Sequence, residues 1–181
     1  MKKNLIALVF SVFFAGLCFA RENNVLVVYF SKSGNTRTVA HYIAYETGGT
    51  VAQISAVESY SEDKNANMER AEFEFKNKIR PEIVCDVSDL SGYDVIFVGY
   101  PLWCGHAPAP VLTFLESYDF SGKTIVPFVT YGGSPFTRGT KEVKASAPNA
   151  VFKKTISVKT SSVPKSEKKV RSLVRKLIGS K

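Results

Sequence analysis

Three stretches of the chain are almost unbroken apolar runs: Val25–Phe30, Asp94–Tyr100 and Lys123–Thr130. Each is six to eight residues long and rich in β-branched residues. That is the pattern of a strand buried on both faces, as in a parallel sheet. Val51–Ser55 and Val151–Val158 read as two further strands. Between them the period changes to that of a helix. Val39, Ala40, Ile43, Ala44 and Thr47 fall on one helical face, and Gly48-Gly49 closes that segment. Asn67–Ile79 predicts a helix with Met68, Ala71, Phe75 and Ile79 inward, stopped by Pro81. Val111–Tyr118 predicts another and Glu142–Ala147 a short one. Pro164–Ile178 predicts the last, with Val170, Leu173, Val174, Leu177 and Ile178 on its buried face. Strands that alternate with helices call for an α/β fold, an open parallel sheet covered on both sides. Pro127 is the awkward residue, because it has no N–H for a central ladder.

The length of 181 residues suits one domain, and 45% hydrophobic with 12% aromatic residues excludes a disordered chain. The first twenty residues stand apart. Lys2 and Lys3 precede an apolar run from Leu5 to Phe19, and Cys18-Phe19-Ala20 ends it in the manner of a signal-peptidase site. The expectation is a signal peptide over 1–20, export to the periplasm or the medium, and a domain over 21–181. The competing reading is an uncleaved anchor, against which the run falls short of the ~20 residues that span a bilayer. The exported chain keeps Cys85 and Cys104. An oxidising compartment permits their one pairing, and two unpaired thiols fit the spacing as well.

Charge is divided unevenly. Residues 138–181 hold 13 basic and 2 acidic side chains, whereas residues 21–137 hold 9 basic and 14 acidic. The lysines of the basic part are spread along a strand and a helix, which reads as a solvated surface. Nucleic acid is not expected as a partner, and membrane contact through this part is a lesser alternative.

In open α/β sheets, ligands sit at the carboxyl ends of the strands. Three loops lie there. Ser31-Lys32-Ser33-Gly34-Asn35-Thr36 joins a strand to a helix start. Gly34 allows a tight turn, and the helix-start amides with the neighbouring hydroxyls make a nest for a phosphate. An ordinary helix cap draws on the same residue types, so both readings stand for this loop alone. It has neither the lysine of the nucleoside-triphosphate loop nor the dinucleotide glycine pattern. Pro101-Leu102-Trp103-Cys104-Gly105-His106 places the only tryptophan after a buried strand, either to stack on a planar ring or to plug the core. His106 reads as an exposed loop histidine. Tyr131-Gly132-Gly133 lets backbone approach a ligand or simply turns.

Taken together, YFSKSGNTRTVA at 29–40, GYPLWCGHAPAPVLTFLESYDFSGKTI at 99–125 and TYGGS at 130–134 resemble the flavodoxins, in the branch with a tryptophan in the second loop. The resemblance covers nearly all of the chain after the first twenty residues. It implies a three-layer doubly wound sandwich with a five-stranded parallel sheet in the order 2-1-3-4-5. It also implies FMN as cofactor. Ser31, Ser33, Asn35 and Thr36, with the amides around Gly34, would hold the phosphate. Trp103 would lie against the isoalloxazine. The loop opened by Pro101 would turn the backbone of Leu102, Cys104 and Gly105 toward N5 and O4. Tyr131, Gly132 and Gly133 would close the side of N3 and O2, and Tyr60 is a further candidate to cover the ring. Two departures stand out. Flavodoxins of the soluble kind are typically acidic and cytoplasmic, and Cys104 occupies a place where this branch often has an aromatic residue.

The expected function is FMN-dependent electron transfer outside the cytoplasm, with redox partner proteins or a small acceptor. The alternatives are an FMN-dependent NAD(P)H:quinone-type reductase and a flavin-free interaction scaffold. No catalytic side chain and no metal ligand is assigned.

Overall fold

Alternate residues of a strand point to opposite faces, so a strand that is apolar throughout feeds two cores at once. The computed structural model, which describes residues 24–133 and 135–179, shows this directly. In β1 (Val25–Phe30), Leu26, Val28 and Phe30 enter one core, and Val25, Val27 and Tyr29 enter the other. The proposed signal segment lies outside the described residues.

After β1 the order is α1 (Asn35–Thr47), β2 (Thr50–Ala56), α2 (Lys64–Lys76), β3 (Ile83–Val84), β4 (Val95–Pro101) and α3 (Ala109–Ser117). Then come β5 (Thr124–Tyr131), α4 (Thr137–Ser146), β6 (Val151–Phe152), β7 (Ile156–Lys159), a 3₁₀ turn (Thr160–Lys165) and α5 (Glu167–Ile178). The sheet runs β3-β2-β1-β4-β5-β6, and β7 also pairs with β5. All pairings are parallel except that of β3 with β2. The expected 2-1-3-4-5 arrangement is therefore present, with a two-residue antiparallel strand added outside β2. α1 and α5 cover one face, and α3 and α4 cover the other.

The last strand departs from expectation in an instructive way. It is split in two. Ile125 pairs with Phe152 and Phe128 with Ile156, so Val126 and Pro127 face three residues, Lys153, Lys154 and Thr155. The extra residue is a bulge. It lies opposite the proline that has no N–H to donate, which is how a buried strand tolerates Pro127. Gly99 of β4 has a different necessity. A Cβ there would sit 2.0 Å from Cζ of Phe128, whose ring lies across it from β5.

The inward face expected for α2 is borne out at Met68 and Ala71, which pack against the core, and corrected at Phe75. Met68, Ala71 and Ile79 are half-buried and Phe75 is exposed, whereas Asn67 and Glu74 are buried. α4 is longer than expected and α2 starts three residues earlier. Pro164 belongs to the 3₁₀ turn rather than to α5.

Candidate functional site

The phosphate-nest loop leads from β1 into α1. Gly34 is the N-cap of α1, in the left-handed region at φ 83°, and no side chain caps the helix. The competing helix-cap reading of Ser31, Ser33, Asn35 and Thr36 is not what the structure shows. Asn35 Nδ2 instead donates to Ser33 Oγ at 3.0 Å. The Ser31 hydroxyl oxygen is buried and has no hydrogen-bond partner. Buried polar groups are rarely left so, and an anion at the helix start would supply the missing acceptor. No acidic side chain occupies the first turn of α1 to oppose one.

The three loops are fastened to one another. Thr36 Oγ1 and Thr130 Oγ1 share a buried hydrogen bond of 2.8 Å, tying the first loop to the end of β5. The Leu102 amide donates to the Thr130 carbonyl at 2.9 Å, tying the second loop to the third. Tyr131 is half-buried beside Phe136, and Gly132 and Gly133 are exposed with open space where a Cβ would stand.

Pro101 ends β4, and Trp103–His106 then forms a tight hairpin. Trp103 and His106 exchange both backbone hydrogen bonds, at 3.1 and 2.8 Å. Cys104 and Gly105 at its tip have φ of 49° and 84°. Positive φ at both central residues is the signature of a type I′ turn. Cys104 is exposed, with its sulfur 3.8 Å from that of Met68. Cys85 is also a free thiol, and burial raises its pKa.

Trp103 is only 9% exposed. Its ring meets Phe30 edge-on at 5.3 Å and Tyr60 edge-on at 4.8 Å. The tryptophan is thus part of the core beneath the hairpin, and its neighbour Tyr60 is buried with it. Tyr60 donates to Glu74 Oε2 at 2.6 Å, Arg70 Nε donates to Glu74 Oε1 at 2.8 Å, and the Arg70 guanidinium lies over the Tyr60 ring. Burial first, and the Glu74 carboxylate second, push the Tyr60 hydroxyl far above the usual tyrosine pKa. These bonds hold α2 against the hairpin.

His106 corrects the reading of an exposed loop histidine. It is buried, with Nδ1 2.5 Å from Glu142 Oε1 and Nε2 3.1 Å from Arg138 Nη1. Arginine only donates, so this bond uses Nε2 as acceptor and leaves the Nδ1 hydrogen for Glu142. Glu142 Oε2 also accepts from the Ala107 amide at 3.0 Å. α4 is pressed close enough that a Cβ on Gly139 would lie 3.0 Å from that amide nitrogen. This clamp leaves no mark in the sequence, because His106 is more than thirty residues from both partners and each side chain is ordinary on its own. No group of three or more His, Cys, Asp or Glu suited to a metal occurs among the described residues. No helix among them is long and apolar enough to cross a membrane.

The chain resembles several solved proteins over most of its length. A candidate flavoprotein from Bacteroides eggerthii is 31% identical, with a TM-score of 0.75, over 88% of this chain and 99% of that one. A candidate flavoprotein from Bacteroides uniformis is 30% identical, with a TM-score of 0.74, over 86% and 99%. A Lactobacillus acidophilus flavoprotein, solved in complex with FMN, shares the fold at 23% identity and a TM-score of 0.67, over 79% and 97%. No protein of curated function matches. A family model for flavodoxin matches residues 24–176, a span that holds the whole sheet and all three loops, and the chain belongs to the flavodoxin family.

Proposed function

We propose that the chain binds FMN and transfers electrons, and that it does so outside the cytoplasm. The observation that carries the reading is the start of α1. It is a helix N-terminus without a side-chain cap, beside a buried serine hydroxyl that lacks an acceptor. A terminal phosphate satisfies both. Ser31, Ser33, Asn35 and Thr36 would hold it, with Gly34 allowing close approach of the backbone.

FMN, when bound, supplies the redox chemistry, and the protein supplies position and electrostatics. The hairpin backbone of Leu102, Cys104 and Gly105 and the Tyr131–Gly133 loop would line the edges of the ring, with the buried Trp103–Tyr60–Phe30 cluster bracing the hairpin from beneath. The hydrogen bonds between Thr36 and Thr130 and between Leu102 and Thr130 fix the phosphate end and the ring end in one frame. The family and the Lactobacillus complex support FMN as the ligand. The basic, apolar and small-residue succession of the first twenty residues supports export.

The test is the protein isolated from its own compartment. The expected result is an N-terminus near Arg21, a flavin absorbance spectrum, and quenching of FMN fluorescence when the apoprotein is titrated. Failure to quench would overturn the cofactor and leave the interaction scaffold. Sustained NAD(P)H consumption with a quinone would replace the carrier with a reductase.

A further inference from the structure

The sequence spreads its C-terminal lysines over a strand and two helices, and the fold gathers them on one edge of the sandwich. The last place in the sheet is held by β6 and β7, whose outer side is unpaired. Lys153 and Lys154 sit in the bulge between them and Lys159 ends β7, all exposed. α4 flanks this edge on one face. Its Val143 is buried, and Glu142 and Ser146 turn toward the hairpin and α3 through His106 and Glu116. Lys141 and Lys144, three residues apart, take the opposite flank. Lys144 Nζ accordingly lies 5.8 Å from the centre of the Phe152 ring of β6. α5 flanks the edge on the other face. Val170 and Val174 are buried, and Arg171 and Arg175 turn to Glu46 of α1, at 2.7 Å each. Lys169 and Lys176, seven apart and on one helical face, take the flank away from α1, toward β7.

The charge of this edge is uncompensated. None of these lysines has a carboxylate within ion-pair distance among the described residues. From residue 138 onward the only acidic side chains are Glu142 and Glu167. Glu142 is taken by His106 and the Ala107 amide, and Glu167 by Arg171 at 3.3 Å. The arginines are turned inward as well, Arg138 to His106 and Arg171 and Arg175 to Glu46. What faces solvent is lysine, with Val151 as the large apolar side chain exposed beside it.

That composition selects the kind of partner. Protein interfaces draw on aromatic residues and arginine and are poor in lysine. Nucleic-acid recognition draws on the forked guanidinium of arginine and on rings that stack. A layer of anionic headgroups asks for neither, because each flexible point charge near it adds attraction without a fixed geometry. We propose that this edge is a docking surface for an anionic lipid bilayer, held by electrostatics and released by salt. Val151 is a single apolar contact and gives no lasting anchorage. The surface uses no residue of the three loops and does not rest on the FMN reading. Lys159 is in register with Tyr131, so docking at this edge sets the third loop beside the lipid.

The test is co-sedimentation of the mature chain with vesicles of phosphatidylcholine that contain about one-third phosphatidylglycerol. The expected result is binding at about 0.05 M salt, release at about 0.5 M, and none to phosphatidylcholine alone. Lys153→Gln combined with Lys154→Gln should weaken binding about 30-fold, the effect of two lysines near a charged surface. Lys64→Gln combined with Lys78→Gln removes as much charge from exposed positions at the two ends of α2, and should change binding by less than about twofold. FMN titration of both double variants should match the parent, which separates failure here from failure of the cofactor assignment. Binding to neutral vesicles, an equal loss in the two double variants, or no binding at all overturns the proposal. So does saturable binding to a DNA duplex or to polyglutamate at about 0.15 M salt where the vesicles stay free, which reassigns the edge to nucleic acid or to an acidic protein.

Discussion

Helices α1 and α2 are each 13 residues long, and they begin and pack in opposite ways. α1 starts on a left-handed glycine with no side-chain cap. α2 starts on Asp63, whose Oδ1 accepts from the Ala66 amide at 2.8 Å. α1 buries Thr36, Val39, Ala40 and Ile43 against the sheet. α2 buries Asn67 and Glu74 and is held by the Tyr60–Glu74–Arg70 bonds. A helix start satisfied from within has little to offer a ligand. One left open, on a helix already secured by apolar packing, has its dipole and amides free for an anion. α1 gains its anchorage elsewhere: its apolar face, and a Gly48 amide that returns to the Ala44 carbonyl at 2.8 Å.

The sharpest way to break this contrast is to place a charge in the open start. Ser33 is exposed, so Ser33→Glu should fold normally and lower FMN affinity by about 100-fold or more, roughly 3 kcal/mol, through repulsion of the phosphate. Fluorescence titration measures it, and unchanged affinity would remove the phosphate from α1. The second probe concerns the polar anchorage of α2. Folded Tyr60 keeps its proton above pH 10 while unfolded Tyr60 releases it, so its contribution is complete below pH 10 and is lost as pH rises toward the raised value. Tyr60→Phe should flatten the alkaline fall in stability by up to ~1.4 kcal/mol per pH unit, read from urea midpoints between pH 9 and 11. The smallest effect is expected at the closed start. Asp63→Ala should cost about 1 kcal/mol of stability and leave FMN affinity unaltered, which checks that capping matters to α2 alone.

The same contrast shows how far the sequence could be read. β1, β4 and β5 announce themselves because both faces are apolar, and α1 because its inward residues are apolar at a regular period. β3 is two residues long, too short to leave a pattern. On α2, Met68 and Ala71 were placed inward correctly and Phe75 was not, because the helix also packs through the buried polar groups Asn67 and Glu74, so its apolar period points partly to solvent. Phe75 is 43% exposed for that reason. The three loops were legible from their glycines, hydroxyls and position after strands. The core setting of Trp103 was one of its two readings, and the His106–Glu142–Arg138 clamp was not legible at all. It depends on contacts between α4 and a hairpin that only the folded chain brings together.

The bulge opposite Pro127 has a consequence beyond the sheet's interior. The strand it interrupts is the last one, and an edge strand exposes backbone groups on which another chain can grow. Here that edge is broken into pieces of two and four residues, kinked between them, and studded with Lys153, Lys154 and Lys159. The opposite edge is the two-residue β3. Neither side presents a long flat row of donors and acceptors. A proline that looked like a flaw in a central strand thus helps to keep the sheet from being extended by its neighbours, a safeguard against aggregation for a chain nearly half of whose residues are hydrophobic.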